Sequence, residues 1–155
     1  MNQESWHAGF LAKLAPRFRM KLLSLAHSFR YSAGTTIFRE GDPSLYFYLV
    51  KSGRVALDIA VPAKGTVCLL TVGPGDIFSW SALLESHAET ATARAIEEVE
   101  VLEIKGEALQ GLCWEDTELG MEFYRALAEV IAARLTATRL VAVDAFAGRG
   151  STTSS

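Results

Sequence analysis

The chain has 155 residues, of which 50% are hydrophobic and 21% are charged, so it has room for one domain with a buried core. Its 15 Lys and Arg residues against 18 Asp and Glu residues give a formal net charge of −3. This balance argues against a dedicated nucleic-acid-binding protein, which usually carries a clustered basic excess.

The first predicted elements are one or two short helices over residues 8–30. Apolar residues recur there at helical spacing, and Pro16 is placed where it can open a first turn. A turn at residues 31–34 follows, and the pattern then changes to short β-rich segments.

From residue 34 to residue 105, the β-rich segments are separated by Gly- and Pro-containing turns at 40–43, 51–54, 62–65 and 73–76. Turns at such regular intervals are typical of a small antiparallel roll or barrel. The fold class is therefore predicted as α+β, with an antiparallel, jelly-roll-like β-roll at its centre.

The last part of the chain is predicted to be helical again. We expect a short helix at 106–113 and a long helix at 115–146, which begins with acidic residues that suit a helix N-terminus. The Gly/Ser/Thr-rich residues 148–155 predict a disordered tail, so residues 1–147 form a single domain.

Two cysteines, Cys68 and Cys113, are too few for a disulfide framework and suit a reducing compartment. No secretory signal and no apolar stretch of ~20 residues is visible. These features predict a cytoplasmic protein without a membrane segment.

Several motifs occur together in a fixed order. Gly41-Asp42-Pro43 precedes the aromatic strand 46–50, a Gly53-Arg54-Val55 hairpin follows, and Gly75-Asp76-Ile77-Phe78 introduces a short helix before the strand at 92–95. This order resembles the cyclic nucleotide-binding domain family, to which the catabolite activator protein belongs. The resemblance spans residues 34–146 and implies a Crp/Fnr-like β-roll sensor domain.

In that family the ligand sits in a cassette that reads Phe-Gly-Glu-aliphatic-small-Leu, then a loop, then Pro-Arg-Ser/Ala-Ala/Thr. The resemblance implies that backbone N–H groups and the Arg hold the phosphate, while the Glu accepts from the ribose hydroxyl. Here Ser79 replaces the Gly, Trp80 replaces the Glu and Glu89 replaces the Arg. Losing a charged hydrogen-bond partner costs about 2–5 kcal/mol. We therefore expect no binding of cyclic AMP or cyclic GMP in the usual manner and assign no cofactor.

Three interpretations of the pocket follow. It binds a different small ligand on Trp80 and nearby hydroxyls, it is filled by Trp80 and binds nothing, or it binds an anion weakly at the helix N-terminus. The candidate pocket residues are Phe78, Ser79, Trp80, Ser81, Ala82, Leu83, Glu89, Thr90, Ala91 and Thr92.

Other polar residues have simpler explanations. Arg94 could clamp an anion, but pairing with a carboxylate such as Asp58 or Glu98 is favoured. The histidines lie too far apart in sequence for a cupin-like metal site, and no catalytic motif is present. The chain is predicted not to be an enzyme.

The long helix predicts a homodimer, because its apolar stripe extends beyond what one small roll can cover. The stripe residues are Phe123, Leu127, Ile131, Thr138 and Val141. Relatives of the activator type continue into a helix-turn-helix module, and this chain ends before one, so direct DNA binding is not expected. The sequence predicts a ligand sensor that signals to a partner protein through the helix or, alternatively, an adaptor dimer without a ligand.

Overall fold

The computed structural model describes residues 5–85 and 87–151, with side chains in the last helix described to residue 140. The chain begins with 3-10 turns at Ser5–Ala8 and Phe10–Lys13, followed by helix α1 at Pro16–Ser24. The predicted helical segment 8–30 is wrong after residue 24, because His27–Tyr31 forms strand β1. β1 pairs with a later strand, which places Phe29 opposite Val101, so a non-local ladder overrides the local apolar spacing.

Within the described residues, eight strands form two four-stranded antiparallel sheets, which confirms the predicted β-roll and the α+β class. The first sheet has the order β1-β8-β3-β6 and the second β2-β7-β4-β5. The remaining strands are β2 Thr36–Phe38, β3 Tyr46–Ser52, β4 Val55–Val61, β5 Gly65–Val72, β6 Ile77–Phe78, β7 Thr92–Ala95 and β8 Val99–Lys105.

The alternation of side chains along β3 divides the interior into two cores. Phe47 and Leu49 belong to a helical core, which the N-terminal segment and the two C-terminal helices cover on one face of the first sheet. Tyr48 and Val50 point to the opposite face and join a roll core between the sheets. The helices and the roll thus share one sheet, whose two faces serve different layers.

Helix α2 at Gly106–Glu115 is joined to helix α3 at Thr117–Ser151 by Asp116. The Oδ1 atom of Asp116 accepts a hydrogen bond from the Leu119 backbone N–H, as a capping carboxylate does. Its Oδ2 atom lies 2.6 Å from Lys21 Nζ, and this contact lowers the pKa of Asp116. The junction therefore fixes the angle at which α3 leaves α2.

Helix α3 is longer than predicted. The disordered tail predicted at 148–155 is wrong for residues 148–151, which continue the helix, and residues 152–155 lie outside the described part of the chain. Glycines there cost about 1 kcal/mol each in helix propensity but keep their backbone donors, so they weaken the helix without ending it. Among the described residues, no helix combines the length and apolar character that a membrane crossing requires.

Candidate functional site

The cassette begins where β6 ends at Phe78. Ser79 follows in the left-handed region, with φ of 66°, and a 3-10 helix then runs over Trp80–Leu83. The left-handed conformation is higher in energy for a serine than for the glycine that the family motif has at this position. Hydrogen bonds of the Ser79 side chain can offset this conformational cost.

The Ser79 hydroxyl contacts the carboxylate of Glu89 at 2.9 Å and 2.7 Å from the two oxygens. Ser44 Oγ lies 3.0 Å from Glu89 Oε1 and 3.1 Å from Ser79 Oγ. Glu89 is only 5% exposed, and Ser44 is buried as well. Burial raises the pKa of Glu89, and the hydrogen bonds from Ser79 and Ser44 oppose that rise. Glu89 is therefore a buried carboxylate held by two neutral hydroxyl groups.

The backbone around Glu89 is tied to the turn after β2. The Gly41 N–H donates to Glu89 O at 2.7 Å, and the Glu89 N–H donates to Asp42 O at 2.9 Å. The Glu40 N–H donates to Thr92 Oγ1 at 2.9 Å, which uses one of the hydroxyls predicted to anchor a ligand. Thr90 is exposed, and Ala91 is half-buried. The loop that carries Glu89 is thus held on both sides.

Trp80 packs against the helical core rather than the roll core. The guanidinium carbon of Arg134, on α3, lies 5.1 Å from the centroid of the Trp80 ring. Burial lowers the pKa of Arg134, and the nearby Asp76 carboxylate acts in the opposite direction. This geometry matches Trp80 as core packing.

The other cassette residues divide between the two cores. Phe78 stacks on Tyr48 inside the roll, with ring centroids 4.8 Å apart. Ser81, Ala82 and Leu83 are buried, and the Leu83 carbonyl accepts a hydrogen bond from Gln110 Nε2 of α2 at 2.9 Å. The predicted pocket residues thus contact different parts of the interior, and Leu83 also contacts α2 through its carbonyl group.

Arg94 pairs with Asp58, with Nε 3.1 Å from Oδ2, so the structural interpretation of this arginine is confirmed. Sequence reasoning missed Ser44 and Arg134. Ser44 lies far from the cassette in sequence, and no local pattern marks it. Arg134 lies between Ile131 and Thr138 on the apolar stripe of α3, and a charged residue in that stripe was a usable signal.

The residues of the predicted dimer stripe lie in different surroundings on α3. Phe123 and Leu127 are buried against their own domain, and Ile131 packs at the edge of the same helical core. Thr138 is half-buried, and the side chain of Val141 lies outside the described residues. Leu135, by contrast, is 51% exposed. Three of the five stripe residues therefore pack against the helical core of their own domain.

Comparison with known proteins agrees with the fold. The family model of the cyclic nucleotide-binding domain matches residues 28–116. The chain is 26% identical over 121 residues to the CRP-like cAMP-activated global transcriptional regulator of Mycobacterium tuberculosis, an alignment covering 78% of this chain and 54% of the regulator. This chain therefore spans about half the length of that relative.

Solved structures give the same result. The N-terminal domain of a transcriptional regulator from Streptomyces coelicolor superposes with a TM-score of 0.69 and 27% identity, covering 83% of this chain and 90% of that one. The catabolite activator protein of Thermus thermophilus gives a TM-score of 0.73 and 29% identity, covering 89% of this chain and 62% of that one. With its roll, its cassette and its long C-terminal helix, the chain belongs to the cyclic nucleotide-binding domain family.

Proposed function

We propose that this domain is a regulatory module that does not take cyclic AMP or cyclic GMP in the usual manner, because its own Glu89 carboxylate replaces the phosphate-binding arginine. The observation that carries this proposal is the buried contact of Glu89 with Ser79 and Ser44. The two hydroxyl groups already donate to the Glu89 carboxylate. A phosphate bound beside this carboxylate would be repelled by its like charge.

The proposal is tested by titrating the purified protein with cyclic AMP and cyclic GMP. Isothermal titration should give no saturable heat at micromolar concentrations, and the melting temperature should not rise with nucleotide. A family member that binds cyclic AMP provides the positive control. Saturable micromolar binding of either nucleotide would refute the proposal.

The cassette has a direct route to α3. The Ser79 hydroxyl is hydrogen-bonded to the Glu89 carboxylate. Trp80 follows Ser79 in the sequence, and its ring lies against the Arg134 guanidinium of α3. A cation on an indole face contributes about 0.5–2 kcal/mol, depending on how far it is desolvated. We infer that a displacement of the Glu89 loop, by a small ligand other than a cyclic nucleotide, would reach α3 through this contact and so alter binding of a partner protein.

A second candidate is an adaptor that has no ligand. An aromatic cluster fills part of the roll interior: the ring centroid of Phe38 lies about 6 Å from those of Tyr48 and Phe78, and these two rings stack on each other. Such packing favours an interior that leaves little room for a ligand. The two candidates differ in one measurement. A metabolite panel that shifts the melting temperature with any compound favours the sensor, and a panel without a shift favours the adaptor.

We also propose that two copies pair through the distal part of α3. Ala128, Ile131, Leu135 and Thr138 follow each other at steps of three, four and three residues, so they share one helix face. Leu135 is the large apolar side chain that this face leaves half-exposed.

Leu135→Lys should weaken the dimer at least tenfold, because the charge would be buried in the interface. Light scattering after size-exclusion chromatography measures the mass at several concentrations. Leu140→Lys is the matched control, since Leu140 is also exposed but lies on a different face of α3. A dimer unaffected by Leu135→Lys, or a monomeric wild type, would contradict this arrangement.

A further inference from the structure

A cleft of about 360 Å³ lies between α3, the N-terminal 3-10 turns and the turn that precedes β6. Its described lining residues include none of the cassette candidates at 78–83 and 89–92. Three of them carry a charge, namely Lys13, Asp76 and Arg134, and the others are apolar or glycine. The cleft is therefore a second candidate site, and the proposal made above for Glu89 does not use it.

The walls of the cleft are held in place by the backbone. The Phe10 N–H donates a hydrogen bond to the Gly75 carbonyl oxygen at 2.9 Å, and the Gly75 N–H donates to the Val50 carbonyl oxygen at 2.8 Å. A Cβ atom on Gly9 would collide with the Gly75 carbonyl group, so this glycine lets the two turns meet. The two turns thus form one preformed side of the cleft, and α3 forms the other.

Arg134 brings to this cleft a cation that has no anionic partner. Its Nη1 atom is buried and has no hydrogen-bond partner in the described part of the chain, and none of the ion pairs found there includes its guanidinium. The Trp80 ring, whose centroid is 5.1 Å away, attracts the charge through its π face but supplies no oxygen acceptor. Almost all buried donors in folded proteins are paired, because an unpaired one costs free energy. An oxygen acceptor in the cleft would therefore be bound favourably.

Arg134 belongs to the side of α3 that faces its own domain. It follows Leu127 and Val130 at steps of three and four residues, and Val130 lines the same cleft. Leu135, the exposed apolar residue of the proposed pairing face, lies about 100° further round the helix. None of the four residues of that pairing face is among the described lining residues of the cleft.

The other two charged side chains restrict the ligand. Lys13 Nζ is already paired with Glu129 Oε2 at 2.9 Å, which leaves Arg134 as the unpaired cation among the described lining residues. Asp76 is exposed, and its carboxylate lies near Arg134 without forming an ion pair with any residue that the structure describes. Its Oδ2 atom accepts a hydrogen bond from the Gly73 N–H at 2.9 Å. A phosphate would be repelled by Asp76, whereas a ligand with both a carboxylate and an ammonium group would complement the two charges.

We propose that this cleft binds a free amino acid with an apolar side chain. The Arg134 guanidinium would pair with the ligand carboxylate through its fork of N–H donors, and the Asp76 carboxylate would accept from the ligand ammonium group. The apolar side chain of the ligand would contact Ala12 and Val130, which also line the cleft. Small-molecule sites typically combine such a largely apolar lining with a few convergent polar groups. This proposal does not rest on the Glu89 site, and either can fail without the other.

The probe is L-leucine, titrated into the purified protein in a calorimeter at neutral pH. Isocaproate and isoamylamine are the matched ligands, since they lack the ammonium group and the carboxylate of leucine, respectively. L-Leucine should bind saturably with a dissociation constant below about 1 mM, isocaproate should bind at least about threefold more weakly, and isoamylamine should not bind measurably.

Variants of the two charged residues test their separate roles. Arg134→Gln should weaken L-leucine binding at least about tenfold, and Arg134→Lys, which keeps the charge but not the fork, at least about threefold. Asp76→Asn keeps an oxygen that can accept from the Gly73 N–H. It should weaken L-leucine binding without weakening isocaproate binding, and it keeps the proposal testable if the Arg134 variants fail to fold.

Arg125→Gln is the matched control, because Arg125 is exposed on α3 at about 180° around the helix from Arg134. It should bind L-leucine like the wild type. Absence of saturable L-leucine binding, binding unchanged by the Arg134 and Asp76 variants, or tighter binding of inorganic phosphate than of L-leucine would overturn the proposal. None of these variants alters Glu89 or its two serine partners, so the cyclic nucleotide titrations remain a separate test.

Discussion

Replacing Phe123 by alanine should lower the free energy of unfolding by about 3–5 kcal/mol. The Phe123 side chain is fully buried, and its ring packs edge-to-face on Phe10 and Phe47, with centroids 5.5 Å apart in both pairs. It therefore joins α3, the N-terminal segment and β3 at one point. Removing it leaves a cavity that three separate elements would have to move together to close. Chemical denaturation followed by circular dichroism measures the loss.

Tyr124→Ala is the control for this prediction, because the neighbouring residue is aromatic but partly exposed. It should cost much less stability, on the order of 1 kcal/mol. Equal losses in the two variants would contradict the packing described for Phe123.

Glu89→Leu should lower stability by about 1–3 kcal/mol for each serine hydroxyl left without its acceptor, offset in part by the apolar leucine. Ser44 and Ser79 both depend on the Glu89 carboxylate in a buried setting. Glu89→Gln retains one acceptor oxygen and should be milder at neutral pH. Thermal or chemical unfolding of the three proteins at pH 7 measures these differences.

The same site should make stability depend on pH. Burial raises the pKa of Glu89 in the folded protein above its ordinary value. The folded state then holds this proton more tightly than the unfolded state does. The cost of ionising Glu89 is therefore absent below the unfolded pKa and is complete above the folded pKa. As pH rises through that window, wild type should lose stability relative to Glu89→Gln.

Unfolding of both proteins at intervals between pH 4 and pH 7 provides the measurement. The difference between them isolates Glu89 from other groups, such as Asp116, whose pKa is lowered. Thr90→Val, at the exposed neighbouring position, should follow the wild-type profile. A constant difference between wild type and Glu89→Gln across this range would show that Glu89 does not titrate as a buried acid.

The sequence was informative where local chemistry decides the structure. Gly and Pro turns divided the roll correctly because they act through backbone dihedral angles. The segment at His27–Tyr31 was misread because its ladder with β8 is formed across about seventy residues. An apolar stripe on a helix indicates that this face is buried, but it does not identify the surface that buries it. Phe123 and Leu127 were therefore assigned to a dimer partner, whereas they pack in the core of their own domain.

In the candidate site, too, local sequence features were predictable and contacts between distant residues were not. The resemblance predicted that Glu89 stands at the position of the arginine, but the hydrogen bond between Glu89 and Ser44 forms only in the folded chain. Trp80 was named as a pocket candidate, but the contact of its ring with Arg134 joins residues more than fifty positions apart in sequence. Pairings of this kind require coordinates.

The helical core draws its residues from both ends of the described chain, with Phe10 and Leu11 at one end and Phe123 and Leu127 at the other. Lys13 forms an ion pair with Glu129, and the Ala15 N–H donates to Glu122, so the N-terminal turns are tied to the first part of α3. Such contacts close a very long loop, and we expect them to consolidate after the roll hairpins. We therefore expect loosening of the N-terminal turns to weaken the attachment of α3, while its contacts with β3 and α2 remain.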